Sequence, residues 1–197
     1  MWDFQENKIC SALKKNISRR KFLALGLATA AASVLPFETL AAVNTIVTPG
    51  RALSFYNIYT QEELNIVYWF EGRYLPDALA RINYILRDLR TGKVTDIDNS
   101  LLDLLYGIQK KLKSKDPFNV ISGYRTPKSN AILRKRRRGV AINSLHMYGK
   151  AVDINMPGYS LNALRRVAMS IGHGGVGYYP YSKFVHLDVG EVRNWTG

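Results

Sequence analysis

His146 and Asp153 stand seven residues apart in Ser144-Leu-His-Met-Tyr-Gly-Lys-Ala-Val-Asp153, and a further histidine, His186, lies in Phe184-Val-His-Leu-Asp188. Two imidazoles and one carboxylate form a three-ligand set that suits a catalytic zinc ion, with the fourth position left to water. The chain has only three histidines, and this set uses two of them. Zinc also needs no redox partner, which suits an oxidising compartment. A zinc ion lowers the pKa of its water towards neutrality and so prepares a nucleophile for a carbonyl.

The spacing constrains the elements that carry these groups. Seven residues are too many for neighbours on one helical turn and too few for two separate elements. They suit a loop residue, His146, then a turn at Gly149 and a short strand over Val152–Asn155 bearing Asp153. Apolar Val185 and Leu187 frame His186 as in a buried central strand, over 184–189, paired with a strand over 176–179. Gly149 and small Ala151 allow close packing beside His146.

Upstream, aromatic-rich stretches at 52–59 and 64–70 around Gln61-Glu62-Glu63 read as a hairpin. Leu79, Ile82, Ile85, Leu86 and Leu89 have the spacing of an amphipathic helix over 75–89. A second helix begins after Asp98 or Asn99 as its cap and buries Leu101, Leu102, Leu105, Ile108 and Leu112. Phe118–Ser122 reads as a buried strand ended by Gly123. Residues 130–138 read as helical despite the basic run from Arg134 to Arg138. Ser160 caps a last helix through Ile171. No βαβ repetition is visible, so the expected fold class is α+β: a small, mostly antiparallel sheet with flanking helices, helices coming first and strands mainly later.

The first forty or so residues read as an export segment. Lys14, Lys15, Arg19, Arg20 and Lys21 form a positive region, an apolar run follows from Phe22 to Leu35, and Ala41-Ala42 offers a cleavage site. Ser18-Arg-Arg-Lys-Phe-Leu23 resembles the twin-arginine signal. The run is short for a membrane span, which needs about 20 residues, so no stable span is expected after cleavage. The organisation expected is a signal over 1–41 and one domain over 42–197, with 43–51 as an extended linker. Cys10, the only cysteine, would be removed, leaving neither disulfide nor thiolate ligands. The whole chain carries a formal charge of +13, and removing the six Lys/Arg and three Asp/Glu of the signal leaves about +10. Such a field favours anionic partners. In the cell envelope these are murein carboxylates, anionic lipids or polyanions, and an exported chain is not expected to meet nucleic acid.

Taken together, Ser144-x-His-x-x-Gly-x-Ala-x-Asp153, Ser122-Gly-Tyr-Arg125, Gly174-Gly-Val-Gly-Tyr-Tyr-Pro180 and Phe184-Val-His-Leu-Asp188 resemble the M15-type zinc peptidases. The likeness runs from the signal to residue 197, and the twin-arginine-exported murein endopeptidase branch is the most similar. The resemblance implies a zinc-dependent peptidase acting on peptidoglycan stem peptides, with a fold shared by D-Ala-D-Ala metallopeptidases and the hedgehog signalling domain. By position it implies His146, Asp153 and His186 as metal ligands. It also implies that Arg125 holds a substrate carboxylate or stabilises charge near the scissile carbonyl, a task its planar donor fork suits.

The general base does not transfer. Related subfamilies place an acid three residues before the last ligand histidine, or a histidine two before it, where this chain has Lys183 and Phe184. Asp188, two residues after His186 and so on the same strand face, is the remaining candidate. It could reach the metal's water or orient a ligand imidazole. His173, in a glycine-rich loop, is left outside the ligand set. Ser144, Tyr124 and Tyr179 are plausible cleft residues. The Arg134–Arg138 run reads as a solvated face or an attraction to anionic murein. A murein endopeptidase is the leading function; a D-alanyl-D-alanine carboxypeptidase and a non-catalytic zinc-containing wall-binding module are the alternatives.

Overall fold

The computed structural model describes residues 50–137 and 139–197. The expected export segment, Cys10 and the boundary at residue 42 lie outside them. Among the described residues the strands are β1 (Arg51–Asn57), β2 (Glu63–Phe70), β3 (Arg73–Tyr74), β4 (Phe118–Ser122), β5 (Ala151–Asn155), β6 (Gly175–Tyr179), β7 (Phe184–Asp188) and β8 (Arg193–Thr196). The helices are α1 (Pro76–Ile85), α2 (Asn99–Leu112), α3 (Pro127–Arg136) and α4 (Leu161–Met169). All eight strands form one sheet in the order β3-β2-β1-β4-β5-β7-β6-β8. The β1·β4 and β6·β8 pairs are parallel and the rest antiparallel.

The α+β class and the mostly antiparallel sheet are as expected, but the sheet is larger and begins earlier in the chain. Arg51, placed by the sequence in a linker, already belongs to β1. Both edge strands, β3 and β8, are too short to show a two-residue pattern. No helix among the described residues is long and apolar enough to cross a membrane.

Alternation divides the sheet into two faces. Leu53, Phe55, Phe118, Val120, Val152, Ile154, Val185 and Leu187 join one buried core with Leu101, Leu102, Leu105 and Ile108 of α2 and Leu164 and Ala168 of α4. Each such side chain contributes about 1.5–3 kcal/mol by leaving water. A one-residue slip would turn every strand residue to the wrong face, so the register is firmly set. Asp153, His186 and Asp188 occupy the alternate positions and therefore face away from this core.

Local chemistry sets the helix ends. Asp98 caps α2, its Oδ1 accepting from Ser100 N at 2.9 Å. Ser160 caps α4 through Ala163 N at 3.2 Å. α3 starts at Pro127, earlier than the expected residue 130, because Thr126 caps it by accepting from Ser129 N at 3.1 Å. Proline at the first helical position sacrifices no intrahelical bond.

α1 stops at Ile85 rather than continuing to residue 89, and its end holds the segment that carries Arg125. The Leu86 carbonyl accepts from Tyr124 N at 2.7 Å. Buried Asp88 accepts from both the N–H and the hydroxyl of Thr126, at 2.8 and 2.7 Å. These tertiary bonds replace the last helical turn, and Leu89 is left exposed.

Candidate metal centre

The three proposed ligands come from three elements. Asp153 lies on β5 directly opposite His186 on β7 in the antiparallel ladder. His146 sits in a short 3-10 turn, Leu145–Tyr148, ended by Gly149. Gly149 has φ +66°, and an added Cβ would collide with the Asp96 carbonyl, so glycine is required there on two counts. That turn swings the chain from His146 straight into β5.

The resulting cluster is tight. His186 Nδ1 lies 2.8 Å from Asp153 Oδ1, and His146 Nε2 lies 3.2 Å from both that oxygen and His186 Nδ1. One ligand atom from each residue falls within 4.8 Å of the others. His146 is fully buried, while the His186 and Asp153 side chains keep 12% and 8% exposure, which leaves access from their side.

The remaining ring nitrogens are both engaged. His146 Nδ1 lies 2.7 Å from the Gly123 carbonyl, which can only accept, so Nδ1 carries the proton and Nε2 offers a lone pair. His186 Nε2 donates to Asp188 Oδ2 at 3.0 Å, which frees Nδ1 for the cluster. Carboxylate or carbonyl acceptors behind ligand imidazoles are the usual outer support of a metal site. The donor set therefore fits a divalent cation of zinc's type.

Electrostatics point the same way. Burial alone would push Asp153 up, but His146 and His186 outweigh it and hold the carboxylate well below its usual range. Burial pushes His146 down, which keeps it neutral and able to donate a lone pair. Burial also opposes a charge on His186, yet its bonds to Asp153 and Asp188 prevail and raise it to about 9.

The family model described as peptidoglycan L,D-endopeptidase MepK matches residues 45–195. The chain belongs to this family. Peptidoglycan L,D-endopeptidase MepK of Escherichia coli strain K12 is 42% identical over 184 residues, 92% of this chain and 99% of the relative. The protein of the same name in Shigella flexneri has the same identity and coverage. Probable peptidoglycan L,D-endopeptidase MepK of Haemophilus influenzae is 40% identical over 181 residues, 91% of this chain and 96% of the relative. The resemblance to M15-type peptidases is borne out, and this family member is a hydrolase rather than a non-catalytic module.

Arg125 stands beside the cluster. Its guanidinium lies 3.6 Å from Asp153 Oδ2 and donates to Ser122 Oγ at 3.3 Å and Ser144 Oγ at 3.1 Å. Its buried Nε has no partner. Burial disfavours its charge, although a guanidinium remains protonated.

Ser122 reaches this face only because β4 is irregular. The register with β5 shifts between Val120 and Ser122, so two residues of β4 oppose one of β5. Regular alternation would have sent Ser122 into the core with Phe118 and Val120. Such a bulge re-aims a side chain next to a functional site.

Asp188 occupies a different place from a base facing the metal. It is fully buried behind His186 and accepts from Gly175 N, Gly190 N and both terminal nitrogens of Arg193, at 2.7–3.1 Å, besides the imidazole. Five donors use up its lone-pair capacity. Arg193 was not singled out in the sequence; its only signal is an arginine in the last strand. His173 is exposed, as are Arg134–Arg137, which make no ion pair among the described residues. Tyr179 accepts from Trp195 Nε1 at 2.9 Å.

Two outcomes are expected. Because the raised His186 must lose its proton before a metal binds, apparent zinc affinity should fall about tenfold per pH unit below roughly 9. Chelator competition at several pH values measures this, and a flat profile between pH 6 and 8 would refute it. Asp188→Asn should lower zinc affinity about 10–100-fold through the mis-oriented imidazole; unchanged affinity would remove Asp188 from that role.

Proposed function

We propose that the chain is a zinc-dependent murein endopeptidase that hydrolyses an amide in the peptide cross-links of peptidoglycan. Supporting this reading is the convergence of His146 Nε2, Asp153 and His186 Nδ1, with each imidazole's other nitrogen already bound. The names of the relatives extend it to L,D cross-links. When bound, the zinc ion would activate water and polarise the scissile carbonyl.

The chain's own groups do the rest. Gly123 O and Asp188 fix the two ring orientations, so little reorganisation accompanies metal binding. Arg125 has an unpartnered Nε and only two long hydroxyl bonds from its terminal nitrogens, and these donors can turn to a substrate carboxylate. Asp188, saturated by five donors, positions His186 and transfers no proton. The resemblance of Ser18–Leu23 to a twin-arginine signal, together with a murein substrate, supports a periplasmic location after cleavage near residue 42. N-terminal sequencing of exported protein should begin there, and a start at Met1 would contradict cleavage.

Incubation of the zinc-loaded protein with sacculi should deplete cross-linked muropeptide dimers, and a chelator should abolish this. Loss of pentapeptide alone would instead indicate a carboxypeptidase. Arg125→Ala should lower turnover of dimers about 10–100-fold, the worth of one or two bonds to a charged group, with zinc stoichiometry unchanged. Full activity in that variant would exclude Arg125 from substrate binding.

A further inference from the structure

Cross-strand partners line up across the face opposite the core: Ser122 in β4, Asp153 in β5, His186 in β7, Gly177 in β6 and Trp195 in β8. At about 4.8 Å per strand the row runs roughly 19 Å, with the ligand pair near its middle. Arg125, bonded to Ser122, marks one end. Trp195 marks the other.

Gly177 is what lets the indole reach the metal centre. An added Cβ there would lie 2.6 Å from Trp195 Cε2 and Cζ2, so the ring leans across the bare backbone of β6. Its centroid comes within 5.3 Å of that of His186, at an interplanar angle of 50°. The ring is held in place from other directions too. Nε1 donates to Tyr179 Oη at 2.9 Å, Tyr179 stacks on Phe184 at 4.5 Å, and the Arg193 guanidinium lies 5.0 Å from the indole centroid.

Despite these restraints Trp195 and Tyr179 are only partly buried. A fixed, partly exposed aromatic surface beside a metal ligand is suited to an apolar group of a substrate: its position costs no ordering on binding, and the ring presents a large apolar area. The row therefore has a cationic, hydroxyl-lined end and an aromatic end. An aliphatic peptide segment bearing a carboxylate on one side matches both.

We propose that Trp195, framed by Tyr179, is a specificity-determining surface that packs against an aliphatic segment of the cross-linked stem peptides, while Arg125 takes a carboxylate at the opposite end. The proposal rests on the endopeptidase reading. It assigns Trp195 to substrate contact rather than to holding His186 in place, and these two roles separate experimentally.

The test uses the zinc-loaded full chain with purified cross-linked muropeptide dimers. Trp195→Ala should raise KM roughly tenfold, as when about two methylene groups lose an apolar partner, with kcat and zinc affinity changed less than about threefold. Trp195→Phe should recover most of the loss. Trp195 is also one of three tryptophans, with Trp2 and Trp69. In a Trp2→Phe, Trp69→Phe background its emission should shift when dimers are added to chelator-treated, inactive protein, and shift less with uncross-linked stems.

Zinc affinity falling in step with activity in Trp195→Ala would overturn the proposal in favour of support for His186. Unchanged KM, or no emission shift, would also overturn it. If the unmodified protein leaves dimers intact, the endopeptidase reading fails by itself. The emission titration, which needs no turnover and no substitution at Trp195, then still decides whether the aromatic surface binds them.

Discussion

The centre depends on one cross-strand pair, Asp153 facing His186 between β5 and β7. Side chains on neighbouring strands point to the same face only in the correct register, and the alternate residues Val152, Ile154, Val185 and Leu187 are all completely buried. The hydrophobic core therefore places the candidate metal ligands indirectly. A shift that separated the carboxylate from the imidazole would also expose those four side chains. Stability and ligand placement are enforced by the same register.

The second layer of support comes from groups distant in sequence. Gly123, at the end of β4, fixes the tautomer of His146, and its own segment is tied to the end of α1 through Leu86 and Asp88. Asp188 fixes His186 and is in turn compensated by Arg193 and two backbone N–H groups. A buried carboxylate without such partners would be costly. Here it is satisfied, and the imidazole in front of it is held with the correct nitrogen towards the cluster.

Much of this was legible in the sequence. The His146–Gly149–Asp153 spacing indicated a turn feeding a strand, and the Val185-His-Leu187 frame indicated a central strand carrying His186. The caps at Asp98 and Ser160 also read correctly, because capping is local chemistry. What was missed depended on distant partners. The end of α1 is decided by Tyr124 and Thr126, nearly forty residues downstream. β8 has four residues and no alternating apolar pattern, so nothing in the sequence marks Arg193 or Trp195. Asp188 could be placed on the face of His186 by parity, but only the five donors around it show which side of the ring it serves. The early start of α3 was visible in Thr126-Pro127 and was obscured by the basic run that follows.

The irregularity in β4 makes that strand sensitive to length in a way that composition does not reveal. Phe118 and Val120 count their positions from the core, whereas Ser122 and the Gly123–Arg125 segment count theirs from the ligand cluster, and the additional residue near Ile121 reconciles the two counts. Conservative exchanges at Ile121 preserve that reconciliation. Deleting it would restore ideal pleating and leave the hydrophobic layer intact, and the serine, now directly after Val120, would keep its place opposite Asp153. What such a deletion would take away is the local bend of the bulged strand, which sets the direction in which the Gly123–Arg125 segment leaves the sheet.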